Sequence, residues 1–440
     1  MAEQMKPSGI DWIGEIPCSW NFKRIKYLAQ LKGRIGWQGL TSDEYTDAGP
    51  FLITGVDFSD GGINWESCVH ITEERWAEAP EIHIKNGDLL ITKDGTVGKV
   101  AIVENLQGKA SLNSGVLLIK TSDEYSKKFL YWVLLSEEFW TWFRLKNAGN
   151  STIIHLYQND FAEFSYTFPD ITEQNAIADF LDKECAQIDS IAVDLEKQIT
   201  LLQQYKKSLI TETVTKGLDK SVPMKDSGVE WFGKIPAHWD VEPIKYRVTF
   251  HNGDRGENYP SKSELQSEGI PFINAGHLEG DGLNMDNMDY ISEEKYRIMG
   301  GVKLRSGDIL YCLRGSVGKN AIVDMNQGTV ASSLVAIRSV RISAEYLYYC
   351  LNSYIEEVQR YLWDNGTAQP NLSADNLGKY KICIPTVEEQ GTIVKYLNNI
   401  CSQIDNLIIG KRNQLSTIQQ HKKSLIYEYV TGKKRVKEVQ

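Results

Sequence analysis

Apolar residues recur every seven positions along two long segments of the chain, and the second segment repeats the first 216 residues later, from Leu181 to Leu397. Sustained heptads without Pro or Gly in the first segment are typical of a coiled-coil helix. We therefore predict long helices over 171–216 and 387–430. The predicted seam between the helices comprises Leu181, Ile188, Leu195, Leu202 and Leu209 in the first helix and Leu397, Ile404, Ile418 and Leu425 in the second. A second apolar row beside the seam, the companion row, comprises Ile177, Ile191 and Tyr205 in the first helix and Ile393, Leu407 and Leu415 in the second.

Each long helix follows a region of short apolar runs that are separated by turn residues. The runs include 88–92, 100–103 and 116–119 in the first region and 308–311, 320–323 and 334–337 in the second. Short runs bounded by Gly, Asn and Asp indicate β-strands. Aromatic-rich helical patterns follow at 127–145 and 344–362. Each region is thus predicted to be a compact α+β domain.

The first half of the chain returns in the second half. The offset is 219 residues from Lys6 to Lys225, 220 from Gly87 to Gly307 and 216 from Gln187 to Gln403. A nearly constant offset over such a length indicates an internal duplication. The predicted first half is a domain over 1–170, which opens with a junction segment (1–20), and a central helix over 171–216. The predicted second half is a domain over 217–386, with its own junction segment (217–239), a C-terminal helix over 387–430 and a polar tail over 431–440.

The charges of the first long helix favour an antiparallel partner. Its early part is acidic, and its late part carries Lys206, Lys207 and Lys216. In an antiparallel pair the basic end of one helix would face the acidic start of the other, which suits the helix macrodipoles as well. The obvious partner is the second long helix, and packing of each helix on its own domain is the alternative.

The order of the repeated segments predicts a circular arrangement. The first long helix is followed by a junction segment, whereas the matching segment for the second helix stands at the N-terminus. We therefore expect residues 1–20 to pack near the C-terminal end of the second helix. The predicted fold is α+β: two similar globular α/β domains, joined by two long antiparallel coiled-coil helices in a circular pseudo-two-fold arrangement.

Composition narrows the class of protein. The chain has 440 residues, of which 42% are hydrophobic and 24% charged, so folded domains are expected rather than wholesale disorder. The net charge of −10 argues against a lone, strongly basic DNA-binding protein. No apolar run reaches the length of a membrane span and no signal peptide is evident, so we expect a cytoplasmic protein. Seven cysteines without a C-x-x-C pair indicate buried reduced thiols.

The repeated motifs resemble those of one known family. They are Gly-Asp-Leu-Leu through Gly-x-Val-Gly-Lys to Ala-Ile-Val at 87–103, matched at 307–323, and Pro-x-x-x-x-Gln at 169–174 and 385–390 before long helices that end in Lys-Lys-Ser-Leu-Ile. Together with the paired halves, these motifs resemble the specificity (S) subunit of type I restriction–modification systems. The resemblance covers essentially the whole chain.

This resemblance implies a non-catalytic subunit with two target recognition domains. Each domain would read one half of an interrupted double-stranded DNA target, and the helix pair would set the gap between the half-sites. The resemblance also implies a complex with two methyltransferase subunits and, for cleavage, two restriction subunits. S-adenosylmethionine, ATP and magnesium would be bound by those partners and not by this chain. Half-sites on one face of B-DNA lie roughly 34 Å apart, a spacing that a rod of roughly 57 Å, from about 38 helical residues, could hold.

Motifs that resemble catalytic sites have simpler interpretations. The segment 95–99 lacks the spacing of a Walker A phosphate loop and is better explained as a tight turn between strands. The acids Glu293 and Glu294 before Lys295 follow a capping Ser and indicate a helix start rather than a nuclease site. No methyltransferase motif is present, and the histidines show no metal-ligand spacing. We assign no catalytic residue and no metal site.

Candidate DNA contacts are expected where the two halves differ, because different half-sites require different base contacts. Arg, Lys, Asn and Gln are the side chains that commonly bind base edges in the major groove. We predict base contacts from Arg34, Gln38, Lys93 and Asn150 in the first half and Arg255, Asn258, Arg314 and Gln369 in the second, with phosphate contacts from Lys99 and Lys319.

Alternatives remain at the level of the sequence. The chain could be an enzyme in its own right, which would require binding of S-adenosylmethionine or a metal by the isolated chain. The paired domains could bind protein instead of DNA, which would make the chain a non-catalytic coiled-coil adaptor. The aromatic side chains Trp12, Trp20, Trp231 and Trp239 could either dock a methyltransferase subunit or seal the junction between a domain and its helix.

Overall fold

The structure is a computed structural model that describes residues 4–34, 40–148, 154–280, 282–363 and 371–436. The chain forms two compact units, one of Met1–Leu195 together with Asn413–Gln440 and the other of Glu196–Arg412. Each unit therefore contains one globular domain and a part of both long helices. The linear division predicted from the sequence, which gives each long helix a segment of its own, differs from this one.

The first unit begins with a domain of short strands and helices. Its strands are β1 (Met5–Pro7), β2 (Glu15–Pro17), β3 (Asn21–Arg24), β4 (Ala29–Gly33), β5 (Thr46–Ile53), β6 (Phe58–Ser59), β7 (Gly62–Ile63), β8 (Val69–His70), β9 (Leu89–Thr92), β10 (Val100–Ile102), β11 (Ala110–Leu112), β12 (Val116–Thr121) and β13 (Ser165–Phe168). Its helices are α1 (Glu73–Ala77), α2 (Lys127–Leu135), α3 (Glu137–Lys146) and α4 (Gln158–Phe161), and the long helix α5 (Ile171–Lys216) follows.

The second unit repeats this succession. Its strands are β14 (Met224–Asp226), β15 (Lys234–Pro236), β16 (Asp240–Pro243), β17 (Val248–Asn252), β18 (Ile270–Ile273), β19 (Leu278–Glu279), β20 (Gly282–Leu283), β21 (Tyr290–Ile291), β22 (Ile309–Cys312), β23 (Asn320–Ile322), β24 (Thr329–Val330), β25 (Leu334–Ser339) and β26 (Lys381–Ile384). Its helices are α6 (Glu293–Ile298), α7 (Ala344–Leu351), α8 (Tyr354–Trp363) and α9 (Ala374–Gly378), and the long helix α10 (Val387–Val430) follows.

The two domains share one sheet topology. A four-stranded antiparallel sheet has the order β10-β9-β12-β4 in the first domain and β23-β22-β25-β17 in the second. A three-stranded sheet has the order β11-β5-β8 or β24-β18-β21, with a parallel pair between its first two strands. The fold class that the sequence predicts, α+β with duplicated domains, is confirmed.

The central strands β9 and β22 are buried at every position because both of their faces are covered. Leu89 and Ile91 of β9 point into a core shared with α2 and α3, whereas Leu90 between them points into a second core under the three-stranded sheet. In β22 of the second domain, Ile309 points into the core shared with α7 and α8, and Leu310 points into the second core. Successive side chains of a strand face opposite sides, so a strand buried on both faces loses the alternation of a half-exposed one.

Parts of the two long helices lie antiparallel within each unit. Lys422 of α10 pairs with Asp189 of α5 in the first unit, with an Nζ–Oδ1 distance of 2.6 Å. Lys206 of α5 pairs with Asp405 of α10 in the second unit, at 2.8 Å from Nζ to Oδ2. The late basic part of each helix thus faces the early acidic part of the other, as the charge pattern predicts.

The heptad positions are buried to different extents. Leu181, Leu195, Leu397, Ile404 and Leu425 are buried, and Ile188, Leu202, Leu209 and Ile418 are half-buried. The companion row is wrong after Ile177, which is buried, because Ile191 and Tyr205 are 50% and 57% exposed. Its place is taken by the row one position later, which includes Cys185, Ala192 and Ile199. The same shift by one position occurs in the second helix, where Leu407 is exposed and Ile408 is buried.

The N-terminal segment packs on the end of α10, as the order of the repeats predicts. The Tyr427 hydroxyl donates to the carbonyl of Trp12 at 3.1 Å, and Lys433 Nζ donates to the carbonyl of Ile13 at 2.8 Å. Gly432 has a φ of +71°, and a Cβ there would lie 2.6 Å from Pro17. In the second unit Gly217, with a φ of +70°, makes the equivalent approach to Trp239.

The junction tryptophans seal each domain against its helices. Trp20 is fully buried and contacts Phe129 edge to face, with 6.3 Å between ring centroids. Trp239 is 1% exposed and donates from Nε1 to Glu389 at 3.1 Å. Trp12 and Trp231 are half-buried and pack on the same cores. Of the two interpretations of these side chains, the structure supports the internal one.

The glutamine of each Pro-x-x-x-x-Gln motif ties a long helix to its domain. Gln174 is buried, accepts from the backbone N–H of Ser126 at 2.9 Å and donates to the carbonyl of Pro169 at 3.0 Å. Gln390 makes the same two bonds with Ser343 and Pro385, at 2.9 and 3.0 Å. The motif is therefore structural: one amide satisfies the N-cap N–H of a domain helix and a carbonyl at the start of the long helix.

Replacement of this amide tests its structural role. Gln174→Leu leaves a buried N–H and a buried carbonyl without their partner, which costs about 1–3 kcal/mol for each buried group left unpaired. We expect Gln174→Leu to lower the Tm by several degrees in calorimetry. The matched control is Gln187→Leu on the exposed face of the same helix, which should leave the Tm unchanged. Equal Tm values for the two variants would contradict this role.

One buried carboxyl group distinguishes the first domain from the second. Glu138 of α3 is fully buried, and neither of its oxygens has a hydrogen bond of normal geometry within the described part of the chain. Burial raises its pKa well above the usual value, and only the backbone of Thr167 opposes the shift. The buried Glu356 of α8 in the second domain, which does not occupy the matching position, instead accepts from the Tyr311 hydroxyl and from Arg360 Nε, the latter at 3.1 Å.

This group predicts a pH-dependent stability. Below pH 4.5, the usual pKa, Glu138 is protonated in both states and has no effect. Above it the unfolded chain ionises while the folded chain does not, so Glu138 lowers stability as the pH rises. Glu138→Gln should therefore raise the Tm relative to the original chain more at pH 8 than at pH 4. Exposed Glu124→Gln is the control, and a Tm difference independent of pH would contradict the assignment.

Candidate nucleic-acid interface

The Gly-Asp segments of the repeated signature are turns that support the central strands. Asp88 is buried and accepts from the backbone N–H of Lys85 at 2.9 Å. Asp308 accepts from the N–H of Arg305 at 2.9 Å and forms a bidentate pair with Arg338, at 2.8 and 2.7 Å. Charge-assisted bonds of this kind hold the turn without any ligand.

The Gly-x-Val-Gly-Lys segments connect antiparallel strands, as predicted. Strand β9 pairs with β10 and β22 pairs with β23, and the backbone N–H of Thr92 donates to the carbonyl of Lys99 at 2.9 Å. Gly98 and Gly318 take positive φ values of 84° and 94° in these turns. Lys99 is exposed, with its Nζ 3.4 Å from the carbonyl of Phe58. Lys319 is also exposed. Both lysines thus stay at the surface.

The acids before Lys295 lie in the first turn of a capped helix, as predicted. The Ser292 hydroxyl accepts from the backbone N–H of Lys295 at 3.1 Å, and Lys295 Nζ pairs with Glu264 at 2.8 Å. Thr72 caps α1 in the same way.

Two of the predicted base-contacting residues line one groove in the second unit. Arg255 and Arg314 are exposed and line a groove of about 320 Å³ together with Asn252, Asn371 and Asp375. Arg255 donates from Nη2 to the carbonyl of Ser332 at 3.3 Å. The structure thus brings together two guanidinium groups that lie 59 residues apart in the sequence.

The walls of this groove belong to regular backbone. The N–H of Leu372 donates to the carbonyl of Leu313 at 2.9 Å, and Arg314 forms an isolated bridge with Asn371. Ser373 then caps α9 by accepting from the N–H of Asn376 at 3.0 Å. Side chains carried by such fixed backbone need little ordering to contact a ligand. Asn258 lies elsewhere and donates to the carbonyl of Ile298 at 3.1 Å.

The equivalent position in the first unit carries different side chains. The N–H of Leu156 donates to the carbonyl of Lys93 at 2.9 Å, which matches the bond between Leu372 and Leu313. Asp94 and His155 therefore stand where Arg314 and Asn371 stand in the second unit. Asp94 Oδ1 lies 2.6 Å from His155 Nδ1, and both side chains are partly exposed. Lys93 is half-buried. The Asp94–His155 pair was missed, because the comparison of halves favoured Arg, Lys, Asn and Gln.

The prediction that Arg34 contacts DNA bases is wrong for this structure. Arg34 is 4% exposed, and its guanidinium donates to the carbonyl of Leu112 at 2.8 Å and to the Ser111 hydroxyl at 3.0 Å. Burial lowers its pKa, and the positive charge of Arg75 acts in the same direction. Its counterpart Asp254 is buried too and accepts from the N–H of Gly256 at 2.7 Å. Both residues lie just after the first strand of the large sheet in their domain.

Three further candidates lie outside the described residues: Gln38, Asn150 and Gln369. They remain predictions from the sequence, as do the contacts of Lys93, Lys99, Lys319, Asn258, Arg255 and Arg314 with DNA.

Neither a metal site nor a membrane span is found in the described ranges. No group of three or more His, Cys, Asp or Glu side chains there could hold a metal ion. Within the same ranges no helix has both the length and the apolar character needed to cross a membrane. All seven cysteines are free; six are buried, and Cys18 is exposed, which the sequence did not predict.

Known proteins share both the sequence pattern and the fold. Residues 17–201 and 249–417 match the type I restriction modification DNA specificity domain. The chain is 26% identical to the type I restriction enzyme MjaVIII specificity subunit of Methanocaldococcus jannaschii, over 96% of this chain and 94% of the relative. It is 24% identical to the EcoBI specificity subunit of Escherichia coli, over 98% and 90% of the two chains.

Solved structures show the same architecture. One chain, from a study of complex assembly and conformational transition of the type I R-M system, superposes with a TM-score of 0.70 and 17% identity over 95% of this chain and 99% of that one. The HsdS subunit from Thermoanaerobacter tengcongensis superposes with a TM-score of 0.50 and 16% identity over 95% and 98%. The two matched segments cover most of the sequence, and the chain belongs to the family of type I restriction–modification DNA specificity subunits.

Proposed function

We propose that each unit of this specificity subunit reads one half of an interrupted double-stranded DNA target. The proposal rests on one observation: the two units share the same backbone structure but carry different side chains at one exposed position. The units agree in sheet order, in the glutamine ties and in the pairing of Lys with Asp between the long helices. At the same backbone position, however, one unit presents Asp94 with His155 and the other presents Arg314 with Asn371.

The partners and the complex follow from this role. We propose that the long helices set the gap between the half-sites and hold two methyltransferase subunits, and that two restriction subunits join for cleavage. S-adenosylmethionine, ATP and magnesium would act in those partners. The chain itself would supply no catalytic group, and the net charge of −10 suits a subunit whose partners share in neutralising the DNA phosphates.

The target of the complex tests this proposal directly. We expect co-expression of the chain with its methyltransferase subunits, in a host free of adenine methylation, to methylate a two-part sequence with a fixed gap. Single-molecule sequencing of the host genome would reveal the motif. The methyltransferase subunits without this chain are the control and should leave no sequence-specific methylation. A continuous motif, or none, would contradict the proposal and favour the protein-binding adaptor.

The structure also predicts that the domains can be exchanged. The first domain enters and leaves through the paired strands β3 and β13, and the second through β16 and β26, so the ends of each domain are adjacent. Replacement of residues 240–384 by a second copy of 21–168 should give a target in which the half-site of the first domain occurs twice. The gap should stay within about one base pair, because the long helices are unchanged. Retention of the original second half-site would contradict independent reading by the domains.

A further inference from the structure

The most informative difference between the units lies at one backbone position. Asp94 follows Lys93, whose carbonyl accepts from the N–H of Leu156 at 2.9 Å, and Arg314 follows Leu313, whose carbonyl accepts from Leu372 at 2.9 Å. The flanking strands β9 and β22 occupy the same place in their sheets. The side chains of Asp94 and Arg314 thus start from matching backbone but carry opposite charge.

The groove of the second unit is rich in hydrogen-bond donors. It is lined by the guanidinium groups of Arg255 and Arg314 and by the amides of Asn252 and Asn371, against one carboxylate, Asp375. Arg255 uses one N–H for the carbonyl of Ser332. A guanidinium has five N–H groups in a fixed fork, so several remain for a ligand. The acceptor-only edge of guanine, O6 with N7, is the base edge that this fork matches in the major groove.

The equivalent position of the first unit presents an acceptor instead. The Asp94 carboxylate is 41% exposed and is held by His155, with 2.6 Å between Oδ1 and Nδ1. An ionised carboxylate only accepts hydrogen bonds, so Nδ1–H of His155 must be the donor. The remaining oxygen lone pairs suit an exocyclic amino group, which cytosine and adenine present in the major groove and guanine does not. The negative charge would also repel the acceptors of guanine.

We propose that this paired position determines base specificity in both half-sites. Arg314, supported by Arg255, reads a guanine in the half-site of the second unit. Asp94, oriented by His155, reads a base with an exocyclic amino group in the half-site of the first unit. This proposal rests on the function proposed above, since it assigns base classes to the two half-sites.

The guanine assignment in the second half-site is tested by removing the Arg314 guanidinium, while the first half-site serves as an internal reference. Arg314→Ala should weaken the preference for one guanine of the second half-site roughly 10-fold or more, since a bidentate contact is worth that order of discrimination. Arg314→Lys keeps the charge but not the fork and should relax the same position. The first half-site and the gap should not change. The matched control is Arg297→Ala, an exposed arginine of the same unit paired with Glu293, which should leave the motif intact.

The first half-site is tested in the same assay. Asp94→Ala should relax a cytosine or adenine position of the first half-site and leave the second half-site unchanged. Exposed Asp123→Ala is the control for loss of one negative charge. The domain exchange described above identifies which half-site belongs to which unit, and sequencing of methylated adenines gives the base preference at every position.

The outcomes separate this proposal from the function on which it rests. If the original chain directs no two-part methylation, the proposed function fails. If it does so but Arg314→Ala and Asp94→Ala leave both half-sites unchanged, only the base assignment is overturned. Relaxation at a base other than guanine for Arg314 would overturn it too. Loss of methylation at all sites, with full activity of Arg297→Ala, would mean that Arg314 supplies affinity and not specificity, which also overturns the assignment.

Discussion

Burial of an apolar row on each long helix, against the other helix and the adjoining domain at once, is the constraint on which each unit depends. In the first unit Leu181 and Leu425 belong to the same core as Trp20 and Phe129. Each such side chain contributes about 1.5–3 kcal/mol when it is fully buried. The Lys–Asp pairs between the helices remain partly exposed, and pairs of that kind contribute about 0–1 kcal/mol. Burial therefore supplies the stability, and the charges favour the antiparallel direction.

The repeated motifs serve this frame and not the chemistry of recognition. The Gly-Asp turn, the Gly-x-Val-Gly-Lys hairpin and the motif glutamine all satisfy backbone groups of the same chain. Such groups need partners wherever the backbone is buried, so both units keep the same solution. Asp94 and Arg314, by contrast, follow matching backbone and carry side chains that reach the surface. These side chains can differ between units without disturbing the core, as a protein that recognises two unlike half-sites requires.

Sequence periodicity predicted the helices and the strands because these depend on burial patterns, and the order of the repeated segments predicted the closure by the N-terminal segment. Periodicity failed where burial is decided by the partner: Ile191 lies one position from Ala192, and only the neighbouring helix decides which of them faces inward. Arg34 has the residue type of a base contact, but its guanidinium donates to the Ser111 hydroxyl and the Leu112 carbonyl, 77 and 78 residues away. The Asp94–His155 pair spans 61 residues and has no local signal.

Hydroxyl-radical footprinting of the chain with its methyltransferase subunits on a duplex that carries one mapped target would test the central claim most directly. If each unit reads one half-site, two short clusters of nucleotides should be protected, roughly one turn of B-DNA or about 34 Å apart, with accessible backbone between them. Arg314→Ala should weaken protection of one cluster more than the other. A single continuous protected stretch, or equal weakening of both clusters, would contradict the account.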